Sequence, residues 1–488
     1  MDTGETTRPA ARRPTQPVSG FDRYFEITAR GSTLGREIRG GLATFFTMAY
    51  IVVLNPLILG LSTDGDGAQL SQTAVAAATA LVAGIMTILM GTVGRFPLAL
   101  AAGLGVNALV ALEIAPKMTW ADAMGLVVIE GIIIAILVLT GLRVAVFNSV
   151  PTQLKAAIGV GIGLFLTLIG LVDAGFVQGG GVSPPLSLGI EGKLLTWPAF
   201  VFVVGLLVTI VLVARRVKGA ILIGILGSTV LAIIVEAIAK VGASAGGDEP
   251  NPSGWALNVP RWPDKVLDVP DLSLVGKFNV LGSWGRAGWL VALMFVFTLM
   301  LTDFFDTMGT MVAVAQEGGL LDRSGTPPRT REILFVDSLA AAAGGAASTS
   351  SNTSYIESAA GVAEGARTGV ASLVTGVLLL LSMFLAPLVR IVPFEAASTA
   401  LVVVGFLMMT AVRTIDWTDY EMAIPAFLII VLMPFTYSIS NGIGAGVIAY
   451  VVVKLARGKA REVHPLLYAV ALLFVLYFLR GPLETLIG

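Results

Sequence analysis

Hydrophobic positions in this chain come in long runs rather than in an alternation of buried and exposed residues. The runs fall near residues 40–60, 72–93, 97–112, 122–142, 151–172, 197–214, 219–240, 288–312, 331–347, 352–366, 368–390, 396–412, 421–438 and 440–456. Most match the roughly 20 residues, at about 1.5 Å each, that carry a helix across the hydrocarbon of a bilayer. Short polar or glycine-rich stretches such as "STDGDG" at 62–67 punctuate them. The pattern predicts an all-α polytopic membrane protein with fourteen transmembrane segments. A further apolar stretch, "HPLLYAVALLFVLYFLR" at 464–480, is short for a crossing and is placed at the inner face.

Two segments break the pattern. The third, "FPLALAAGLGVNALVALEI", and the tenth, "TSSNTSYIESAAGVAEGA", are short, less apolar, and interrupted by Gly or by Ser and Thr. They are seven places apart, and a pair of interrupted segments at matching places in two halves points to a binding site at the bilayer midplane. Weak internal similarity supports the halving. Pro-Ala-Phe at 198–200 in the sixth segment returns at 425–427 in the thirteenth, and Val-Pro opens both the fifth and the twelfth. Seven is odd, so two related seven-span halves insert with opposite orientation.

Composition agrees with a membrane protein. The chain has 488 residues, 56% hydrophobic and 13% charged, where soluble chains carry about 25% charged. Charge placement tests the count. With the amino terminus in the cytoplasm, the inner side holds 22 Lys and Arg, among them Arg143, Arg323 and the "KLARGKAR" run, against 8 outside, Arg480 aside. That is the positive-inside asymmetry, and a miscount by one span would destroy it. Both termini are thus read as cytoplasmic. Trp255, Trp262 and Trp284, in the outer loop at 241–287, are candidate interface anchors. The net charge of −1 suggests no nucleic-acid partner. With no Cys and a single His464 there is no zinc, haem or thiol site, so neither a metal nor a cofactor is expected.

The informative residues are carboxylates inside apolar runs, because an ionisable group in the bilayer is a functional candidate by default. Asp303 and Asp306 lie three apart in "FVFTLMLTDFFDTMGTMV", which puts them on one helical face with Thr310. Glu357 lies in the interrupted tenth segment, and Glu130 in the fourth, where a hydrogen bond to a neighbouring helix is an equal alternative. Glu364 stands three before Arg367, as for a local ion pair. Asn107, in "GLGVN", suits a ligand contact or a half-helix cap. A half-helix starting near Tyr355 would aim free N–H groups and a positive dipole end into a cavity beside Glu357. Carboxylate acceptors, amide donors and an aromatic platform suit a flat neutral heterocycle with N–H edges. They do not suit an inorganic anion.

The stretches "FDRYFEITARGSTLGREIRGGLATFFTMAYIVVLNP", "GLGVNA", "TDFFDTMGT" and "TSYIESAAGVAEGARTG", with the closing "HPLLYAVALLFVLYF", resemble the nucleobase–cation symporter-2 (nucleobase–ascorbate transporter) family, and within it the azaguanine-like purine permeases. The resemblance runs from about residue 21 to the end. It implies fourteen spans as two inverted seven-span repeats, with short extended segments in spans three and ten. After a cytoplasmic tail (1–35), spans 1–4 (36–145) and 8–11 (288–391) would form a core domain. Spans 5–7 with the outer loop (146–287) and spans 12–14 (392–460) would form a gate domain that commonly mediates dimers, followed by an interfacial segment (461–488). It further implies Asp303 and Glu357 as substrate-binding residues, with Asp306 and Asn107 as further polar positions, and Gly105 and Tyr355 beside the site.

The implied activity is import of hypoxanthine, guanine or adenine with protons across the cell membrane, in contact with lipid, by an elevator-like movement of core against gate. On this reading Glu357 takes the purine N–H edge and Asp303 a second edge. Asp306 couples the proton or holds Asp303, and one of the three changes protonation. Phe45, Phe46 and Tyr355 are candidates for stacking on the ring, with packing against lipid or the core as the competing role for the two phenylalanines. A uracil or xanthine permease of the same fold is the nearest alternative, and an anion exchanger of a related inverted-repeat fold a more distant one. An intramembrane enzyme is disfavoured, since no base stands paired to a nucleophile.

Overall fold

The computed structural model describes residues 19–60, 62–141, 150–179, 186–190, 192–244, 251–256, 258–263, 265–322 and 326–487. The tail before residue 19, Arg143 and Arg323 lie outside the described residues. In chain order the first half gives α1 (Gly20–Phe25), α2 (Leu34–Met48), α3 (Ile51–Leu59), α4 (Gln72–Leu89), β1 (Leu100–Ala102), α5 (Leu104–Leu109), α6 (Trp120–Leu139) and α7 (Thr152–Asp173). A small hairpin of β2 (Val177–Gly179) and β3 (Leu186–Leu188) leads to α8 (Trp197–Ala214) and α9 (Ala220–Ala239). The second half gives α10 (Gly282–Arg286), α11 (Trp289–Glu317), α12 (Thr330–Ala346), β4 (Asn352–Ser354), α13 (Ser358–Ala363) and α14 (Gly369–Ser382). It closes with α15 (Phe394–Met409), α16 (Tyr420–Phe435), α17 (Ile439–Ala456) and α18 (Pro465–Ile487).

The polar punctuation of the sequence doubles as helix caps. Thr33, Ser71, Thr119, Thr196, Thr368 and Ser438 each accept a hydrogen bond from a first-turn N–H of the helix that follows, satisfying a donor the helix itself cannot. Ten helical stretches among the described residues are long and apolar enough to cross a membrane, and Tyr420–Phe435 and Pro465–Leu479 are shorter apolar helices. The third and tenth predicted segments are not continuous helices, which is one reason the two counts differ.

Each interrupted segment is a three-residue strand followed by a short helix, and the two strands pair antiparallel in the register Leu100↔Ser354, Ala101↔Thr353 and Ala102↔Asn352. Non-helical backbone at membrane depth survives only if its polar groups are met. Here they are. Gly103 N donates to Ser351 O and Tyr355 N to Ala99 O, both at 2.9 Å. Side-chain hydroxyls serve the outer edges: Thr87 Oγ1 accepts from Leu100 N, Ser358 Oγ from Ala99 N and Ser372 Oγ from Leu98 N. Before β4 the chain reverses through Ser348 (φ 57°) and Ser350 (φ 68°), left-handed conformations that non-glycine residues hold only where their surroundings fix them.

Helix packing falls into two sets. In one, α14 packs on α2 and α4, α12 on α6, and α13 on α2. In the other, α15 and α16 pack on α7, α16 on α17, and α9 on α8 and α15. Gly361 of α13 faces Gly40 of α2 so closely that a Cβ at Gly361 would strike the Gly40 carbonyl and Thr44. That contact fixes α13 against the first crossing.

Two expectations need correction in the outer loop and at Glu364. Trp255 is not an interface anchor; it is buried and donates from Nε1 to Glu236 at 2.9 Å. Trp284 is half-buried, its indole N–H going to Val280 O, whereas Trp262 is 75% exposed. Glu364 pairs with Lys218, in the turn between α8 and α9, and not with Arg367. The Arg367 guanidinium instead turns to the carbonyls of Val362 and Ala366, which an adjacent helix end offers at closer range.

Candidate functional site

A cavity of about 80 Å³ lies where the two interrupted segments meet the two helix sets. Its wall is built from five places in the chain. The break between α2 and α3 supplies Tyr50, and the residue after β1 with the first turn of α5 supplies Gly103, Leu104 and Gly105. From α11 come Asp306 and Thr310, and from the end of β4 and the turn after it come Ser354 to Glu357. Val404 and Met408 of α15 close the side formed by the second set. Gly105 is small because α7 passes close by; a Cβ there would lie 2.8 Å from Ile162 Cγ2.

Glu357 stands at the residue before α13, and its carboxylate makes no capping bond to its own helix. It is turned to the first crossing instead, where the Tyr50 hydroxyl donates to Oε1 at 2.6 Å. Tyr50 itself is 1% exposed. Thr47 Oγ1 reaches the Glu357 carbonyl at 3.4 Å. Asp306, in the middle of a 29-residue helix, is exposed, and the surface it faces is that of the cavity. Tyr355 lines the wall while its hydroxyl donates to Ala102 O at 2.6 Å, so the ring is held across the strand pair.

The helix after β4 starts three residues later than expected, at Ser358. The N–H groups of Ser358, Ala359 and Ala360 are taken by the carbonyls of Tyr355, Ile356 and Glu357 in tight turns. These three N–H groups are therefore spent on the chain itself and are not free for the cavity. Such backbone i+3 bonds commonly tighten the end of a helix.

Asp303 does not belong to the cavity wall. It is fully buried, and Ser351 Oγ bridges its Oδ1 at 3.3 Å and Glu130 Oε2 at 3.4 Å. The i, i+3 spacing leaves about 60° of rotation between the two side chains, enough to send Asp306 into the cavity and Asp303 behind the strands. Asn107 is also fully buried, and neither amide atom has a partner among the described residues. Phe45 packs half-buried on the core, and Phe46 is 52% exposed, away from the cavity.

Three further residues were not singled out in the sequence. Tyr50 gave no signal there, being one aromatic in an apolar run. Asp337 of α12 is buried and accepts from Thr307 Oγ1 at 2.8 Å and Ser354 Oγ at 2.9 Å, joining α11 and α12 to β4. Glu113, beyond α5, is buried and accepts from Ser438 Oγ at 2.8 Å and from Ile439 N at the start of α17. The rule that flagged Asp303 applies equally to Asp337, a carboxylate inside "ILFVDSLAAAA".

Residues 35–444 match the sequence model of the permease family. The chain belongs to that family. The guanine/hypoxanthine permease PbuG of Bacillus subtilis (strain 168) is 37% identical to this permease over 461 residues, covering 93% of this chain and 99% of that one. The adenine permease AdeP of Escherichia coli (strain K12) is 34% identical over 461 residues, covering 93% and 95%. Among solved structures, the transmembrane domain of a cyanobacterium bicarbonate transporter, BicA, is similar to this permease with a TM-score of 0.57 at 15% identity. The match covers 84% of this chain and 97% of that one. SLC26A9 is similar with a TM-score of 0.54 at 12% identity, over 87% and 66%. At such identities the likeness is one of fold. The relatedness read from four motifs thus extends over nearly the whole chain, and this permease is a multi-pass membrane transporter, not an enzyme.

Proposed function

We propose that this permease imports a purine nucleobase, one of hypoxanthine, guanine or adenine, by proton symport. The observation that carries the reading is that Glu357 and Asp306 face one small cavity walled by both helix sets. A neutral planar base offers N–H donors on two edges, and two carboxylates offer acceptors for them. Glu357 takes one edge and Asp306 the other, with Tyr355 beside the ring. Asp303, bridged to Glu130 by Ser351 behind β4, is assigned to proton coupling and to holding the strand. Asn107, buried between α5 and its neighbours, is kept as a supporting polar position. The names of the relatives favour guanine, hypoxanthine or adenine over uracil or xanthine.

The set containing α2–α6 and α11–α14 acts as the core, and the set containing α7–α9 and α15–α17 as the gate. Fourteen crossings in two inverted repeats, both termini inside and dimer contacts through the gate complete the reading. Because Val404 and Met408 of the gate close a cavity otherwise built mainly on the core, sliding the core past them would open it to one side of the membrane and then the other. An anion as cargo is opposed by two carboxylates in the wall, and likeness to a bicarbonate transporter at 15% identity carries fold alone.

The test is uptake of radiolabelled hypoxanthine by cells or proteoliposomes carrying Glu357→Gln or Asp306→Asn. Loss in both, together with acceleration by an inward proton gradient in the parent protein, supports the reading. Near-normal uptake in both variants overturns the site. Full competition by uracil and none by unlabelled purines moves the assignment to a pyrimidine permease.

A further inference from the structure

We propose that Tyr50 is a specificity-determining residue, setting how many hydrogen bonds Glu357 gives to the six-membered ring of the purine. The inference rests on the purine reading above. A carboxylate with both oxygens open binds two adjacent donors side by side. Guanine has such a pair in N1–H and its 2-amino group. Hypoxanthine has N1–H alone, with a C–H next to it. In this permease the Tyr50 hydroxyl already donates to Glu357 Oε1 at 2.6 Å, and its ring stands in the cavity wall on that side. With one lone pair of Oε1 taken and the Tyr50 ring covering that side, Glu357 presents chiefly its other oxygen to cargo, and the 2-amino group of guanine gains little over the C–H of hypoxanthine.

The position of Tyr50 is built rather than incidental. It sits at the break between α2 and α3, where Ala49 N still bonds Phe45 O and Leu54 N bonds Tyr50 O, so the bend is hydrogen-bonded on both sides. The side chain is 1% exposed. Its neighbour Thr47 touches Glu357 through the backbone carbonyl and not through the carboxylate. The first crossing thus holds Glu357 at two points, of which only Tyr50 competes with cargo for an oxygen.

The experiment measures dissociation constants of guanine and hypoxanthine for the purified full-length permease by competition against radiolabelled hypoxanthine. The parent protein is expected to bind the two within about threefold of each other. Tyr50→Phe frees Oε1 at nearly constant volume and is expected to raise the preference for guanine about tenfold, the worth of one hydrogen bond to a charged group. Thr47→Ala is expected to leave the preference unchanged, because it touches no carboxylate oxygen. An unchanged preference in Tyr50→Phe overturns the proposal, as does an equal rise in Thr47→Ala. If Tyr50→Phe does not fold, the parent decides: a preference for guanine above about thirtyfold requires both oxygens and sinks the assignment, and near-equality upholds it. Failure of the parent to bind either base removes the purine reading itself, a result distinct from normal binding with an unmoved preference.

Discussion

The two interrupted segments are built to one plan and do different work. Each runs strand, turn, short helix, and each ends on an acidic residue that grips the other helix set. Glu113 follows α5 and holds Ser438 and Ile439; Glu364 follows α13 and pairs with Lys218. The strands are antiparallel, so these two grips lie in opposite directions from the crossing. The turns between strand and helix differ. After β4 the turn carries Tyr355 and Glu357, while after β1 come Gly103 and, opening α5, Leu104 and Gly105, with no charge. On the proposed function, one segment brings the chemistry and the other makes space for it. Two like-charged turns facing each other across so small a cavity would repel, and two glycine turns would give cargo nothing to bind.

The largest effect expected from breaking this asymmetry is at Glu357. Glu357→Gln keeps one oxygen and turns the other into an NH2 donor, so either the substrate N–H or the Tyr50 hydroxyl loses its acceptor, and uptake of radiolabelled hypoxanthine should fall about a hundredfold or more. Gly105→Val tests the other turn. Its Cβ would stand 2.8 Å from Ile162 Cγ2, so the added methyls must fill the cavity or push α7 away, and uptake should fall at least about tenfold in protein that still elutes as a folded species. If Gly105→Val transports normally, the glycine turn is not there for space.

A smaller loss is expected behind the strands. Asp337→Ala strands the Ser354 hydroxyl and leaves Thr307 with Thr353 alone, and should cost about 1–3 kcal/mol of stability, read as a lower midpoint of thermal unfolding. Asp337→Asn keeps one acceptor and should lose less. The two grips should then separate by burial. Glu113→Ala leaves a buried N–H and hydroxyl without their acceptor and should cost about 1–3 kcal/mol. Glu364→Ala removes a half-exposed pair and should cost about 0–1 kcal/mol. Equal costs would mean that the two grips are not distinguished by their surroundings.

Much of the architecture is legible in the chain. Runs of apolar residues and the capping Ser and Thr between them locate the long helices, because a bilayer-spanning helix needs length and hydrophobicity whatever its neighbours. The two interrupted segments are legible for the same reason in reverse: the glycines around Gly103, or the Ser, Thr and Asn run at 348–354, disfavour an unbroken helix in lipid. Glu357 stands out as a carboxylate where none is affordable without a purpose. What could not be read was the direction of side chains. Asp303 and Asp306 look equivalent at i, i+3, yet one is bridged to Glu130 and the other opens on the cavity. Glu364 has Arg367 three residues away and takes Lys218 from a distant turn.

By itself, the sequence determined where the long apolar helices lie, where the pattern breaks, and that an acidic group waits at the second break. These follow from the cost of exposing backbone and charge to hydrocarbon, which is local to each segment. Tertiary structure alone decided that Tyr50 of the first crossing holds Glu357, that Asp306 rather than Asp303 joins it, and that glycines from the opposite break leave the room. Those outcomes depend on how helices far apart in the chain rotate and close on one another, and rotation about a helix axis is set by packing partners that no single segment contains.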